Sequence, residues 1–439
     1  MARDAYLGSK EITTEPLYDP GNIIIDYCEL QHAGGTLNLN PTSFYVNYGI
    51  HDKSSTCRLS VLDSTEKIAE LDIDGTEELV LGWHSDKNPE ILNTYNIYKV
   101  EVDIDTESGS KGKLFHLHGI STTHLKQLTM DINRVFNGRV SDFVQKIFDN
   151  INTKAKLWDV HPTSGNIAIV IPGETPFEAI SRLESKSFST KHMSSIYRLF
   201  EDTVGYRFAN IEQLIAENRE NPHAYVYNPG ALVSDQKTLQ GQYTIAELSF
   251  NKSQDLIEKI QGGAYASRVS EIDIINQKVD TTEFKVYENF KDFYHLDNPA
   301  ITLDKTSIIE KSLNTINNTR WINKYEDGQR HLDFKDGPQI TRRKFYGNSL
   351  NQNQMSCSVP GNSSLNPGDV INLSMLELSA NKQSPEQEKK ISGNYIITSI
   401  QHAYHKGTKA GYACLLQCNK ESSRANVTEL DQYVKGARK

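Results

Sequence analysis

The sequence predicts a β-rich α+β fold, and three observations carry that prediction. Short runs of β-branched and aromatic residues, punctuated by Gly-, Asn- and Ser-rich turns, fill the first and last thirds of the chain. Apolar residues at helical spacing are concentrated in the middle. The chain is polar, with mean hydropathy −0.54 and 37% hydrophobic residues, and at 439 residues it is too long for one ordinary core. Two to four domains are expected.

The first third reads as strands. FYVNYGI (44–50), CRLSVLD (57–63), KIAELDID (67–74), EELVLGW (77–83), YNIYKVEVDID (95–105) and KLFHLHGI (113–120) are separated by turn material such as HDKSS, SDKNP and TESGSKG. Six short strands in so small a span suggest an antiparallel barrel or sandwich.

The pattern changes after Thr122. SDFVQKIFDNI places Phe143, Val144, Ile147, Phe148 and Ile151 at helical spacing behind a Ser141 cap. Thr175-Pro176-Phe177-Glu178 starts a second helix: Thr175 caps, Pro176 suits the first helical position and Glu178 completes a capping box. Residues 195–215 read as strand, tight turn at Thr203–Gly205, strand and short helix.

Strands resume from Tyr243. QYTIAELSF precedes a helix, SQDLIEKIQ, stopped by Gly262-Gly263 and followed by a long extended run over 264–279. Residues 280–340 are polar and irregular, with short pieces such as EFKVYENF. SCSVPG, DVINLSMLELS, GNYIITSIQHAY and GYACLLQC then return to strands, and the last twenty residues form a polar tail. A weak internal echo is visible. EELVLGW, YNIYKVEVDID and KLFHLHGI match DVINLSMLELS, GNYIITSIQHAY and GYACLLQC in kind and order, with negligible identity.

Composition excludes several classes. The N-terminus lacks an apolar h-region, so no signal peptide is expected, and no run approaches eighteen apolar residues, so no membrane span is expected. Five scattered cysteines (Cys28, Cys57, Cys357, Cys414, Cys418) read as buried small hydrophobes in a reducing compartment. Net charge is −9, against a conventional nucleic-acid grip. Residues 63–107 alone carry thirteen acids and three bases, so the rest of the chain is nearly neutral.

No catalytic set, cofactor-binding motif or metal-ligand set assembles. His116 and His118 share one strand face, with His124 nearby, but no third ligand follows in register. Asp103-x-Asp105-x-Glu107 lacks the Gly and Glu that a calcium loop requires at its sixth and twelfth positions. A phosphate loop, a serine elbow and HExxH are absent. The acids are more informative. Glu70, Asp72 and Asp74 alternate with apolar residues in one run, and Glu101, Asp103 and Asp105 do so in another, so each set lies on one strand face. On neighbouring strands they would crowd six like charges together, which only a wet surface tolerates. Two readings remain open: a plain solvated face, or a repulsive wall beside a passing polyanion.

Three stretches resemble a known family. Leu365-Asn366-Pro367-Gly368-Asp369-Val370-Ile371, then Ser392-Gly393-Asn394-Tyr395-Ile396-Ile397, Ser399-Ile400-Gln401-His402 and the strand from Tyr412 to Cys418 resemble the terminal barrel of central baseplate hub proteins of contractile-tailed, T-even-like phages and of related secretion-spike proteins. YRLFEDTVGYRFANIEQL (197–214) resembles the hairpin and helix of that family's α+β domain, and 251–273 resembles the lead into its second barrel.

The resemblance implies two tail-tube-like antiparallel β-barrel domains with inserted α+β material. The domains would be an N-terminal arm at 1–19, a first barrel at 20–125, an α+β domain at 126–240, a second barrel at 241–279 and 341–420, an insert at 280–340, and a tail at 421–439. It implies a non-enzymatic homotrimeric ring that adapts a hexameric tail tube to a trimeric central spike. DNA would pass through its channel unbound, in a virion baseplate assembled in the bacterial cytoplasm. Glu70, Asp72, Asp74, Glu101, Asp103 and Asp105 are then candidates for the channel face. The alternatives are a secretion-spike component and a glycan-binding or glycan-degrading surface protein; the three tryptophans fall in separate regions and do not suggest a glycan site.

Overall fold

A computed structural model of the chain describes residues 21–64, 66, 68, 71, 73, 75–85, 90–103, 112–191, 195–227, 243–252, 266–273, 277–285, 294–297, 314–322, 339, 341–343, 346–347, 350–351, 353–375, 391–407 and 411–421. The N-terminal strands are β1 (Ile24–His32), β2 (Gly35–Asn38), β3 (Pro41–Gly49), β4 (Thr56–Asp63), β5 (Glu78–His84), β6 (Ile91–Asp103) and β7 (Lys113–Ser121). They pair antiparallel in the order β3-β4-β7-β6-β5-β1-β2. Period-two alternation sets the faces: Phe44, Val46 and Tyr48 of β3, Cys57, Leu59 and Val61 of β4, and Phe115 and Leu117 of β7 are all buried.

Two expectations change here. The β1–β2 hairpin, turning at Ala33-Gly34 with Gly35 entering β2 at φ +136°, was not among the expected strands. Most of the expected strand over 67–74 lies outside the described residues; among those described, Ile68 lies in a turn and Leu71 in a bend, and both pack on the core.

The middle region comprises the short α1 (Thr122–Leu128), β8 (Ile132–Gly138), α2 (Val140–Asn150), β9 (Leu157–Val160), β10 (Ile167–Glu174), α3 (Pro176–Glu184), β11 (Tyr197–Glu201), β12 (Tyr206–Asn210) and α4 (Ile211–Asn218). Its apolar faces close a second core, with Phe143, Val144 and Ile147 of α2 against Ile180 and Leu183 of α3. The capping box of α3 forms, Thr175 N donating to Glu178 Oε2 at 3.0 Å. Helix α2 starts ahead of the expected cap: Arg139 takes that position and Ser141 lies inside, buried. The hairpin turns where expected, held by Asp202, whose Oδ1 accepts from Val204 N at 2.8 Å and Gly205 N at 2.9 Å.

The C-terminal strands are β13 (His223–Tyr227), β14 (Glu247–Lys252), β15 (Ala266–Asp273), β16 (Lys278–Lys285), β17 (Asn314–Ile322), β18 (Asn353–Pro360), β19 (Val370–Met375), β20 (Gly393–His405) and β21 (Tyr412–Lys420). The extended run over 264–279 is interrupted: β15 and β16 form a hairpin with Gln277 at φ +50°, and β17 joins β15 in parallel as a separate small sheet. The expected helix over 253–261 lies outside the described residues. Strands β14-β18-β21-β20 pair antiparallel, β19 adds to β20, and β13 adds in parallel to β19.

The internal echo is structural. Strands β6 and β20 are thirteen residues long, and β7 and β21 are nine. Pairing of β6 with β7 shifts register between Ile97 and Lys99, and that of β20 with β21 shifts between Ile397 and Ser399. The repeats are joined side by side, because β20 pairs antiparallel with β3 from Ser399↔Gly49 to His405↔Ser43. One sheet therefore runs from β14 through the seam to β6, over a shared core containing Phe44, Trp83, Ile400 and Tyr412. Full burial of each such large side chain stabilises by about 1.5–3 kcal/mol.

Candidate functional surface

The solvent-side face of β4-β7-β6 brings together two motifs that are separate in the sequence. Register sets Glu101 of β6 opposite His116 of β7, and His116 opposite Ser60 of β4. Because Phe115 and Leu117 point into the core, His116 and His118 point out, beside the acids of β6. Asp103 Oδ2 lies 3.1 Å from His116 Nε2, whose Nδ1 lies 2.8 Å from Ser60 Oγ. Glu101 Oε2 lies 3.1 Å from His118 Nε2, and its other oxygen accepts from Lys99. Hydrogen bonds from Lys99, then from His118, hold the Glu101 carboxyl down to about 2.

The described acids of this face are thus partnered rather than bare. Glu70, Asp72, Asp74 and Asp105 lie outside the described residues. His124 does not join the pair on β7: it sits in α1, with Nδ1 3.3 Å from Ser54 Oγ and its ring against Phe177. Among the described residues no cluster of three or more His, Cys, Asp or Glu has metal-holding geometry, and no helix is long and apolar enough to cross a membrane. The five cysteines are buried and unbridged; burial pushes the Cys28 and Cys414 thiols up to about 12.

Two buried polar clusters tie this face to the rest of the chain. At the seam, Trp83 Nε1 donates to Tyr412 Oη at 3.1 Å, and that hydroxyl lies in hydrogen-bond contact with His402 Nδ1 at 2.7 Å. Burial pushes His402 down to about 3, so it is the neutral form. Where the N-terminal strands meet the middle region, Glu201 accepts from Ser55 N at 2.7 Å, Ser55 Oγ at 3.0 Å and Ser121 Oγ at 3.1 Å. Burial outweighs those bonds and raises its carboxyl to about 7. Sequence reasoning missed Glu201, although it is in phase with the buried Tyr197 and Leu199 of β11. Of the tryptophans, Trp83 is fully buried and Trp158 is covered on one face by Arg207 at 4.8 Å.

No family model and no curated protein sequence matches the chain. Solved structures do. The tail protein from Neisseria meningitidis MC58 is 10% identical, with 90% of this chain and 96% of that one covered and a TM-score of 0.53. The 43 kDa tail protein of prophage MuSo2 from Shewanella oneidensis is 10% identical, with 91% and 99% covered and a TM-score of 0.52. A third similar chain, at 9% identity, coverage of 92% and 80%, and a TM-score of 0.42, is the E. coli c3393 protein, a type VI secretion component. The class that fold and comparison define is a β-rich tail-protein fold. Over nine-tenths of its length this chain is similar in fold to these two solved tail proteins.

Proposed function

We propose that the chain is a structural, non-enzymatic subunit of a contractile phage tail baseplate, its central hub. One observation carries the reading: a single chain holds two equivalents of one strand unit, side by side in one sheet. A ring of such chains presents twice as many equivalents as it has subunits. Three copies supply six, the number needed to seat a hexameric tail tube on a trimeric spike. The similarity in fold to solved tail proteins supports the same role.

In this reading each equivalent belongs to a tube-like barrel, the first within 20–125 and the second built from 241–279 and 341–420. Glu70, Asp72, Asp74, Glu101, Asp103 and Asp105 line a channel for DNA. The duplex carries one negative charge per ~1.7 Å of axis. A cationic lining would release counterions and grip it, whereas an anionic lining keeps water and ions between wall and duplex. Light-scattering mass of the purified chain tests the assembly. The expected mass is three times 49.6 kDa; a particle that stays at one chain mass at all concentrations overturns it.

A further inference from the structure

The internal repeat assigns a partner to two strand edges. The equivalence can be followed pair by pair across the ladders. Ile97↔Gly119 corresponds to Ile397↔Cys418, and Glu101↔His116 to Gln401↔Leu415. Ser60↔His116 corresponds to Ser358↔Leu415. Ser43↔Ser60 corresponds to Glu247↔Ser358, and Val46↔Cys57 to Phe250↔Met355. Strand β6 is therefore the counterpart of β20, and β14 the counterpart of β3.

Within the chain, β20 pairs with β3, and His402 faces Val46. The counterpart pair, β6 with β14, is not made. Strand β14 ends the joined sheet, while β6 pairs on its outer side with β5 only as far as Asn96; Ile97 N still donates to Glu77 O, and from Lys99 onward that side pairs with no strand among the described residues. Their core-side residues record what is missing. His402 and Val46 are each 0% exposed, while their counterparts Val102 and Phe250 are 46% and 42% exposed. An exposed edge carrying such residues is a template for another chain.

We infer that β6 (from Lys99 to Asp103) of one copy pairs antiparallel with β14 of the next, in the register that sets Val102 against Phe250 and Asp103 against Ser249. The contact is heterologous, because the two edges differ, and a heterologous contact that closes makes a ring. It repeats between copies the junction already present at the seam, so all junctions in the ring become near-equivalent. The number of copies rests on the hub reading; the identity of the paired edges does not.

Two single-cysteine chains test this, Val102→Cys and Phe250→Cys, mixed and oxidised with copper–phenanthroline. The five native thiols are buried. The expected result is a disulfide-linked pair in the mixture and in neither variant alone, with weaker linking when Leu248→Cys replaces Phe250→Cys. A second arm, Val102→Lys, should lower the particle mass to one chain without changing the circular dichroism. If wild type is a ring by mass, yet the mixture does not link and Val102→Lys still assembles, the edge assignment is wrong and the hub reading stands. Linking by Val102→Cys alone would also overturn it, since like edges would then meet. A wild type that never assembles removes both.

Discussion

Trp83 and Tyr412 come from opposite ends of the chain and meet at 3.1 Å, the indole donating to the phenol across the seam between the two repeats. Both are 0% exposed, and the phenol in turn satisfies His402. Tyr412→Phe leaves the Trp83 N–H and His402 Nδ1 without that shared partner. An unpaired buried polar group costs about 1–3 kcal/mol. The urea midpoint should fall accordingly, with strand content retained at 25 °C; an unchanged midpoint would contradict the role given to this hydroxyl.

Gly361 sits directly against the same ring. A Cβ built there would enter the Tyr412 ring, which the Trp83 and His402 contacts leave no room to turn. Gly361→Ala should therefore destabilise by about 1–3 kcal/mol through overpacking. Alanine at Gly407, where nothing lies within 4 Å, meets no such clash, and only the cost of its φ of +87° remains. Paired thermal melts distinguish the two costs, and equal losses would argue against a clash at Gly361.

Glu201 and His402 give stability an opposed pH dependence. Between about 4.5 and about 7, folded Glu201 holds a proton that the unfolded chain has lost, so its contribution falls as pH rises. Between about 3 and 6.5, the unfolded chain binds a proton that folded His402 refuses, so its contribution falls as pH drops. From 4.5 to 6.5 the two slopes oppose. Glu201→Gln removes only the first slope, so the variant's stability should rise with pH relative to wild type across that window, by up to about 1.4 kcal/mol per unit. Chemical denaturation at several pH values checks this; parallel curves for variant and wild type would count against it.

The acidic face predicts a functional effect without a folding one. Glu101→Lys and Asp103→Lys together change solvated positions, where substitutions usually cost less than about 0.5 kcal/mol. Thermal stability should hold, while particles carrying the variant should eject DNA more slowly or retain it. Ejection kinetics indistinguishable from wild type would reduce the acids to a solubility feature.

Much of the strand pattern was legible because one face of each strand is buried: FYVNYGI and KLFHLHGI alternate cleanly and became β3 and β7. At KIAELDID the described residues Ile68 and Leu71 do meet the core, but from a turn and a bend rather than a strand. Alternation misled at 264–279, where the residue at the break, Gln277, carries no glycine signal for its positive φ. The paired face was half legible. Glu101, Asp103, His116 and His118 each stood out, yet their meeting depends on a register between strands that sequence spacing does not give. Glu201, Val102 and Phe250 acquire meaning only once the sheets and their free edges are in place.

The central claim is that copies of this two-unit chain close into a ring, and images of the purified particle viewed down its axis test it most directly. The account predicts a threefold ring with six similar inner lobes around an open centre, at a mass near three times 49.6 kDa. A twofold dimer, or a compact single-chain particle without a central opening, would contradict it.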